Sequence, residues 1–121
     1  MKSRHILFID DKDTCHLFDL LLSHTDKNFK ITCATSRDEA LDLVKKKSFD
    51  LYILEPYRRE INGVELCRKI RQKDSRTPVI FYSGMSRDTD RSSALAAGAN
   101  EYLVKGTDID KFIETVKKFL N

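Results

Sequence analysis

Five residues that directly follow short apolar runs are of types that do chemistry together. Asp10 and Asp11 follow Ile6-Leu7-Phe8-Ile9, Glu55 follows Leu51-Tyr52-Ile53-Leu54, Ser83 follows Val79-Ile80-Phe81-Tyr82, and Lys105 follows Glu101-Tyr102-Leu103-Val104. Carboxylate oxygens are hard ligands of the kind magnesium takes. A hydroxyl and an ammonium suit the oxygens of a phosphoryl group. Each residue alone has a plainer reading: an acidic pair after a strand is favourable at a helix N-terminus, and a single serine or lysine is ordinary. Brought to one place, the set describes a divalent-cation and phosphoryl site.

The elements that would position these residues alternate regularly. The apolar runs His5–Ile9, Phe29–Cys33, Leu51–Leu54, Val79–Tyr82 and Glu101–Val104 have the length of buried strands. Segments of helical periodicity lie between them. One face carries Cys15, Phe18, Leu21 and Leu22, and a second carries Ala40, Leu43 and Val44 after a Ser36-x-x-Glu39 capping box. A third helix runs from an Asn62 cap through Val64, Cys67 and Ile70, and a fourth, weak one lies around Ser92–Ala97. The last carries Ile109, Phe112, Ile113, Val116 and Leu120. Five strands alternating with five helices predict an α/β fold with a parallel sheet covered on both faces. Ligands of such sheets bind beyond the carboxyl ends of the strands, where strand order reverses.

Bulk properties narrow the setting. The 121 residues, 40% hydrophobic and 34% charged, suit one domain spanning 1–121. A net charge of +3 gives little support for nucleic-acid binding, and Lys45-Lys46-Lys47 suits a helix C-terminus. No run approaches the ~18 apolar residues of a membrane span, and the basic start lacks the apolar core of a secretory signal. Cys15, Cys33 and Cys67 are odd in number and widely spaced, which favours buried thiols in a cytoplasmic protein over a disulfide or zinc framework. His5, His16 and His24 have no ligand spacing.

Four segments carry a family resemblance. ILFIDD, DLYILE with Gly63 eight positions after Glu55, PVIFYSG and GANEYLVKG together resemble the receiver domain of bacterial two-component response regulators. The likeness covers essentially the whole chain and implies the flavodoxin-like three-layer sandwich of the chemotaxis regulator, a five-stranded parallel sheet in the order 2-1-3-4-5 with five helices. It implies a cytoplasmic phosphorelay signalling module, not an enzyme, with no catalytic residues of its own. Magnesium would bind Asp10 and Asp11, with Glu55 and the backbone of Tyr57 as further candidate ligands. Ser83 and Lys105 would contact the phosphoryl group or its acceptor, and the rotamer of Tyr102 would report the state of the site. Partners, namely a histidine kinase, an output domain or another signalling protein, would dock on the fourth helix, fifth strand and fifth helix. These map to about Ser86–Ala97, Asn100–Val104 and Asp108–Leu120. Direct nucleic-acid binding and membrane insertion are not implied. The length is that of one such domain, so output is expected from a partner or from further sequence.

The chain departs from the family pattern at its centre. The phosphoacceptor of the family is an aspartate, and Glu55 stands there instead, while Asp50 lies a full strand earlier. The extra methylene displaces the carboxylate by ~1.5 Å, and a ~1 Å misplacement can cost ~10²-fold in rate. The expectation is a phosphorylation-independent pseudo-receiver, with at most weak magnesium binding. If Glu55 mimics the phosphorylated state, its charge should reach toward Lys105 and Ser83, with Tyr102 turned inward. Gly106 replaces the family's proline after the lysine, so the Lys105–Gly106 peptide is expected to be trans. Pro56 follows Glu55 directly, and Arg59 takes the place of a later proline, so the loop bearing Tyr57, Arg58 and Arg59 should be reshaped, to cover the site, pair with Glu60 or lie exposed. Two rivals remain open: a working receiver that still accepts a phosphoryl group, and a small haloacid-dehalogenase-type phosphohydrolase using Asp11 of Asp11-Lys12-Asp13.

Overall fold

The computed structural model describes residues 2–58 and 60–121. Met1 and Arg59 lie outside the described residues, and with Arg59 goes the expectation placed on its side chain. Five strands form: β1 (Arg4–Ile9), β2 (Phe29–Ala34), β3 (Leu51–Leu54), β4 (Val79–Ser83) and β5 (Glu101–Val104). They alternate with α1 (Lys12–Thr25), α2 (Arg37–Lys46), α3 (Gly63–Lys73), α4 (Asp88–Ala96) and α5 (Ile109–Leu120). All strand pairs are parallel, in the order β2-β1-β3-β4-β5. This is the expected flavodoxin-like sandwich.

Strand alternation divides the core into two layers, because successive side chains point to opposite faces. Leu7, Ile9, Tyr52, Leu54 and Phe81 pack with Ala40 of α2, Leu66 and Ile70 of α3 and Ala94 of α4. Ile6, Phe8, Ile53, Ile80 and Tyr82 pack on the other side with Phe18 and Leu22 of α1 and Phe112 and Val116 of α5. Both faces are covered, so the strands can be apolar throughout rather than alternating. Phe112 stacks on Tyr82 with ring centroids 4.3 Å apart, and Phe18 meets the edge of the same pair. Ile109, assigned to this stripe by spacing, sits at the first position of α5 and is exposed. Cys15 and Cys67 are buried and Cys33 half-buried, all free.

Side chains cap the first two helices, whereas α3, α4 and α5 start without a side-chain cap. Asp11 caps α1 by accepting the Thr14 N–H at 2.7 Å. Ser36 caps α2 through the Glu39 N–H, and Glu39 reaches back to the N–H of Thr35. Asn62 does not act as a side-chain cap for α3. It takes the left-handed conformation at φ 46°, which asparagine tolerates, and its amide donates to Glu65 Oε2 at 3.1 Å. The turn it makes presses Gly63 against the residues that follow β3.

That close approach explains the spacing between Glu55 and Gly63. A Cβ on Gly63 would lie 2.5 Å from Pro56 Cα and 3.0 Å from the Glu55 carbonyl oxygen, both backbone atoms. By contrast, a Cβ on Gly84 would meet nothing within 4 Å. Overpacking of this kind costs about 1–3 kcal/mol. Gly63→Ala should therefore lower the unfolding free energy by about that amount in urea titrations, against a gain of up to ~1 kcal/mol from helix propensity. Gly84→Ala should cost clearly less.

Candidate functional site

The order reversal in the sheet falls between β1 and β3, so the crevice there is flanked by their carboxyl ends. Register does the positioning. Ile9 pairs with Leu54, and the Glu55 N–H continues the ladder to the Ile9 carbonyl at 2.9 Å, which sets Glu55 beside Asp10. On the far side Ser83 pairs with Val104, and the Lys105 N–H bonds the Ser83 carbonyl at 2.7 Å. The structure thus brings Asp10, Asp11, Glu55, Ser83 and Lys105 to one end of the sheet.

Lys105 bridges two of the carboxylates. Its Nζ lies 2.6 Å from Asp10 Oδ2 and 3.0 Å from Glu55 Oε2. Asp10 is 1% exposed and Glu55 7%, so both charges are held away from water and need these partners. Burial works against the charge of Lys105. Hydrogen bonds and charges from Asp10 and Glu55 outweigh it and hold its pKa above the ordinary lysine value. Among the described residues every peptide is trans, as expected for Lys105–Gly106, and Gly106 at φ +84° supplies the turn.

The residue that spacing did not single out is Arg58. Its Nε lies 3.3 Å from Asp10 Oδ1, and its Nη2 closes on Asp11 Oδ2. Of the alternatives for this loop, Arg58 covers the crevice rather than pairing with Glu60. Every oxygen of the three carboxylates is engaged. Asp10 Oδ1 also accepts the Asp11 N–H, Asp11 Oδ1 accepts the Thr14 N–H, and Glu55 Oε1 accepts the Tyr57 N–H at 2.9 Å. The donor set has the hard-oxygen chemistry of a magnesium site, but its arrangement is closed by protein cations. Among the described residues no cluster of acidic, histidine or cysteine side chains is shaped to hold a metal.

Tyr102 is turned inward, 1% exposed, with its hydroxyl donating to the Met85 carbonyl at 2.8 Å. Ser83 is buried, and its Oγ accepts the Met85 N–H at 3.0 Å. Among the described residues no hydrogen bond joins Ser83 to Glu55, although both line an open cavity of about 540 Å³ with Tyr57, Arg58 and Met85. One half of the mimicry geometry is thus present, the Glu55–Lys105 contact with Tyr102 inward, and the direct Glu55–Ser83 contact is not.

A second tie runs from the loop to α4. Tyr57 donates to Asp90 Oδ1 at 2.5 Å, and Arg87 forks onto both oxygens of Asp90 at 3.0 and 3.1 Å. These bonds, those of Arg87 first, hold the Asp90 carboxyl below its ordinary pKa, while burial first and then Asp90 raise that of the Tyr57 hydroxyl. Arg91 of α4 adds a bond to the Tyr102 carbonyl at 2.8 Å. This tie was not legible in the sequence: an acidic residue in the first turn of α4 is ordinary there, and its burial is seen in the structure.

Comparison with known proteins agrees with the geometry. A family model described as "Response regulator receiver domain" matches residues 6–117. The response regulator ArlR of Staphylococcus epidermidis is 34% identical over 116 residues, covering 96% of this chain and 52% of that protein. ArlR of Staphylococcus aureus is also 34% identical over 115 residues. The chain thus spans about half the length of the curated relatives it matches. A two-component response regulator from Clostridium difficile superposes with a TM-score of 0.88 at 29% identity, covering 98% of this chain and 96% of that one. Response regulator TrrA of Thermotoga maritima, solved in complex with Mg(2+)-BeF, superposes with a TM-score of 0.84 at 30% identity, covering 97% of this chain and 99% of that one.

The Thr14 N–H, and after it the charges of Arg58 and Lys105, hold the Asp11 carboxyl below its ordinary value of 3.8. A carboxyl depressed by folding contributes stability above its unfolded pKa and loses it as pH falls through the folded one. Unfolding free energy should therefore fall as pH drops below about 4. Asp11→Asn keeps a good N-cap but has no proton to take up. Urea titrations between neutral and acidic pH should show a shallower acid slope for the variant.

Proposed function

Because the chain belongs to the response regulator receiver domain family, we propose that it is a signalling module of a two-component system that works without accepting a phosphoryl group. Glu55 stands in the acceptor position, and output passes through protein–protein contacts. The observation that carries this reading is the double hold on Glu55. Its Oε2 is paired with Lys105 and its Oε1 with the Tyr57 N–H, so both oxygens are held in place by the fold. Pro56 has no N–H to offer an incoming anion, and the Tyr57 N–H is already taken. These contacts fix a carboxylate that the extra methylene already displaces, and in-line positioning is nearly all the help a protein gives this reaction.

Asp10 and Asp11 are the residues that would hold magnesium, weakly, with Glu55 and the Tyr57 carbonyl as further candidates. The metal would supply positive charge to phosphoryl oxygens, the part Lys105 already plays for Glu55. Asp11 as the nucleophile of a hydrolase finds no support, since its oxygens cap α1 and bind Arg58.

Families of this kind work with histidine kinases and output domains. We assign the contact face here to α4, β5 and α5 of a single domain over residues 1–121. Leu95 of α4 and Ile109 of α5 are large apolar residues left exposed on these elements. Tyr102 lies beneath this face and shapes it from inside. No helix among the described residues is long and apolar enough to cross a membrane.

The test is incubation with magnesium and acetyl phosphate, followed by intact-mass measurement. A receiver bearing aspartate at the acceptor position should be run alongside. The control should gain a phosphoryl adduct and this protein none; a stoichiometric adduct on Glu55 would overturn the reading.

A further inference from the structure

Among the described residues the crevice holds three carboxylates and two side-chain cations, and one cation lies between the two acids that would share a metal. A divalent ion shared by Asp10 and Asp11 takes oxygen ligands at ~2.0–2.1 Å and demands near-octahedral geometry. Here the Arg58 guanidinium lies between those two side chains, with Nε on Asp10 Oδ1 and Nη2 on Asp11 Oδ2. A planar guanidinium matches paired carboxylate oxygens better than an ammonium does, and it cannot lose its charge. Lys105 meanwhile takes Asp10 Oδ2 and Glu55 Oε2, so the oxygens a metal would share are divided between the two cations.

Chain geometry keeps Arg58 in place. It follows Glu55 by three residues in a loop closed at both ends. The Ile61 and Asn62 N–H groups both bond the Arg58 carbonyl, at 3.0 and 2.8 Å, and the Gly63 N–H bonds the Pro56 carbonyl at 3.0 Å. Tyr57, its neighbour, is fixed to Asp90. A tethered cation of this kind acts at a high effective concentration, whereas a free metal ion must come from solution.

We propose that Arg58 is an internal counter-cation that holds the place of the divalent metal between Asp10 and Asp11. The acidic crevice then stays assembled without metal, and magnesium binds only by displacing the arginine. This concerns the cation, not the acceptor. It stands or falls separately from the reading that Glu55 takes no phosphoryl group.

The probe is Mn²⁺, with the free ion counted by electron paramagnetic resonance and no phosphodonor present. Arg58→Gln and Arg58→Ala are compared with the parent protein, and circular dichroism checks that each is folded. A third variant, Lys12→Gln, removes a neighbouring exposed charge that makes no contact with the carboxylates. The Arg58 variants should bind Mn²⁺ tighter by on the order of tenfold or more, a usual size for coupling between two ligands. Lys12→Gln should change the affinity far less. Magnesium should raise the melting temperature of the Arg58 variants more than that of the parent. Equal affinity in parent and Arg58 variants, or an equal gain from Lys12→Gln, would overturn the proposal. So would Arg58 variants that fold and bind no Mn²⁺.

Discussion

The arrangement depends on keeping like charges together at the end of a sheet. Parallel pairing puts Asp10 and Glu55 on adjacent strand ends, and the helix start adds Asp11. Two of these acids are nearly sealed from water. Bringing one charge of a buried pair in without its partner costs about 3–5 kcal/mol. The fold meets this with one cation from each side of the crevice: Lys105 from the end of β5 and Arg58 from the loop after β3. Among the described residues two positive charges face three negative ones, and each carboxylate oxygen has a donor.

The surrounding loop follows from this balance. To bring Arg58 over Asp10 and Asp11, the segment from Pro56 to Asn62 must fold back on itself. It does so with a left-handed Asn62 and a Gly63 that touches the backbone of Pro56. The same fold aims Tyr57 away from the carboxylates and onto α4. The acidic pocket and the α4 surface are therefore connected through adjacent, partly exposed residues, one cationic and one aromatic.

Much of this was legible in the residue order, and the unread parts have physical reasons. The five apolar runs match the strands to within a residue, because a sheet covered on both faces leaves no other use for ILFI or LYIL. Strand ends named the site residues, since a parallel sheet must deliver them together. Arg58 was named only as one of three loop side chains that could cover the site, and its partners could not be assigned because the loop has no periodicity and they lie about 47 residues away in sequence. The Asn62 cap was misread because its turn is set by a tertiary contact at Gly63. The burial of Asp90 was equally hidden, since an acid in the first turn of a helix usually faces water.

Tyr102 was described as inward, roofed by Met85 and held from α4 through Arg91. A protein whose binding-competent form is a minor species shows an affinity reduced by that fraction. If Glu55 takes no phosphoryl group, as proposed, a partner that recognises the inward arrangement of Tyr102 would meet it without such a reduction. Its occupancy would then follow how much of this protein is present rather than what has been done to it. For a domain working as proposed, synthesis and degradation would become the dial, and the signal would be an amount.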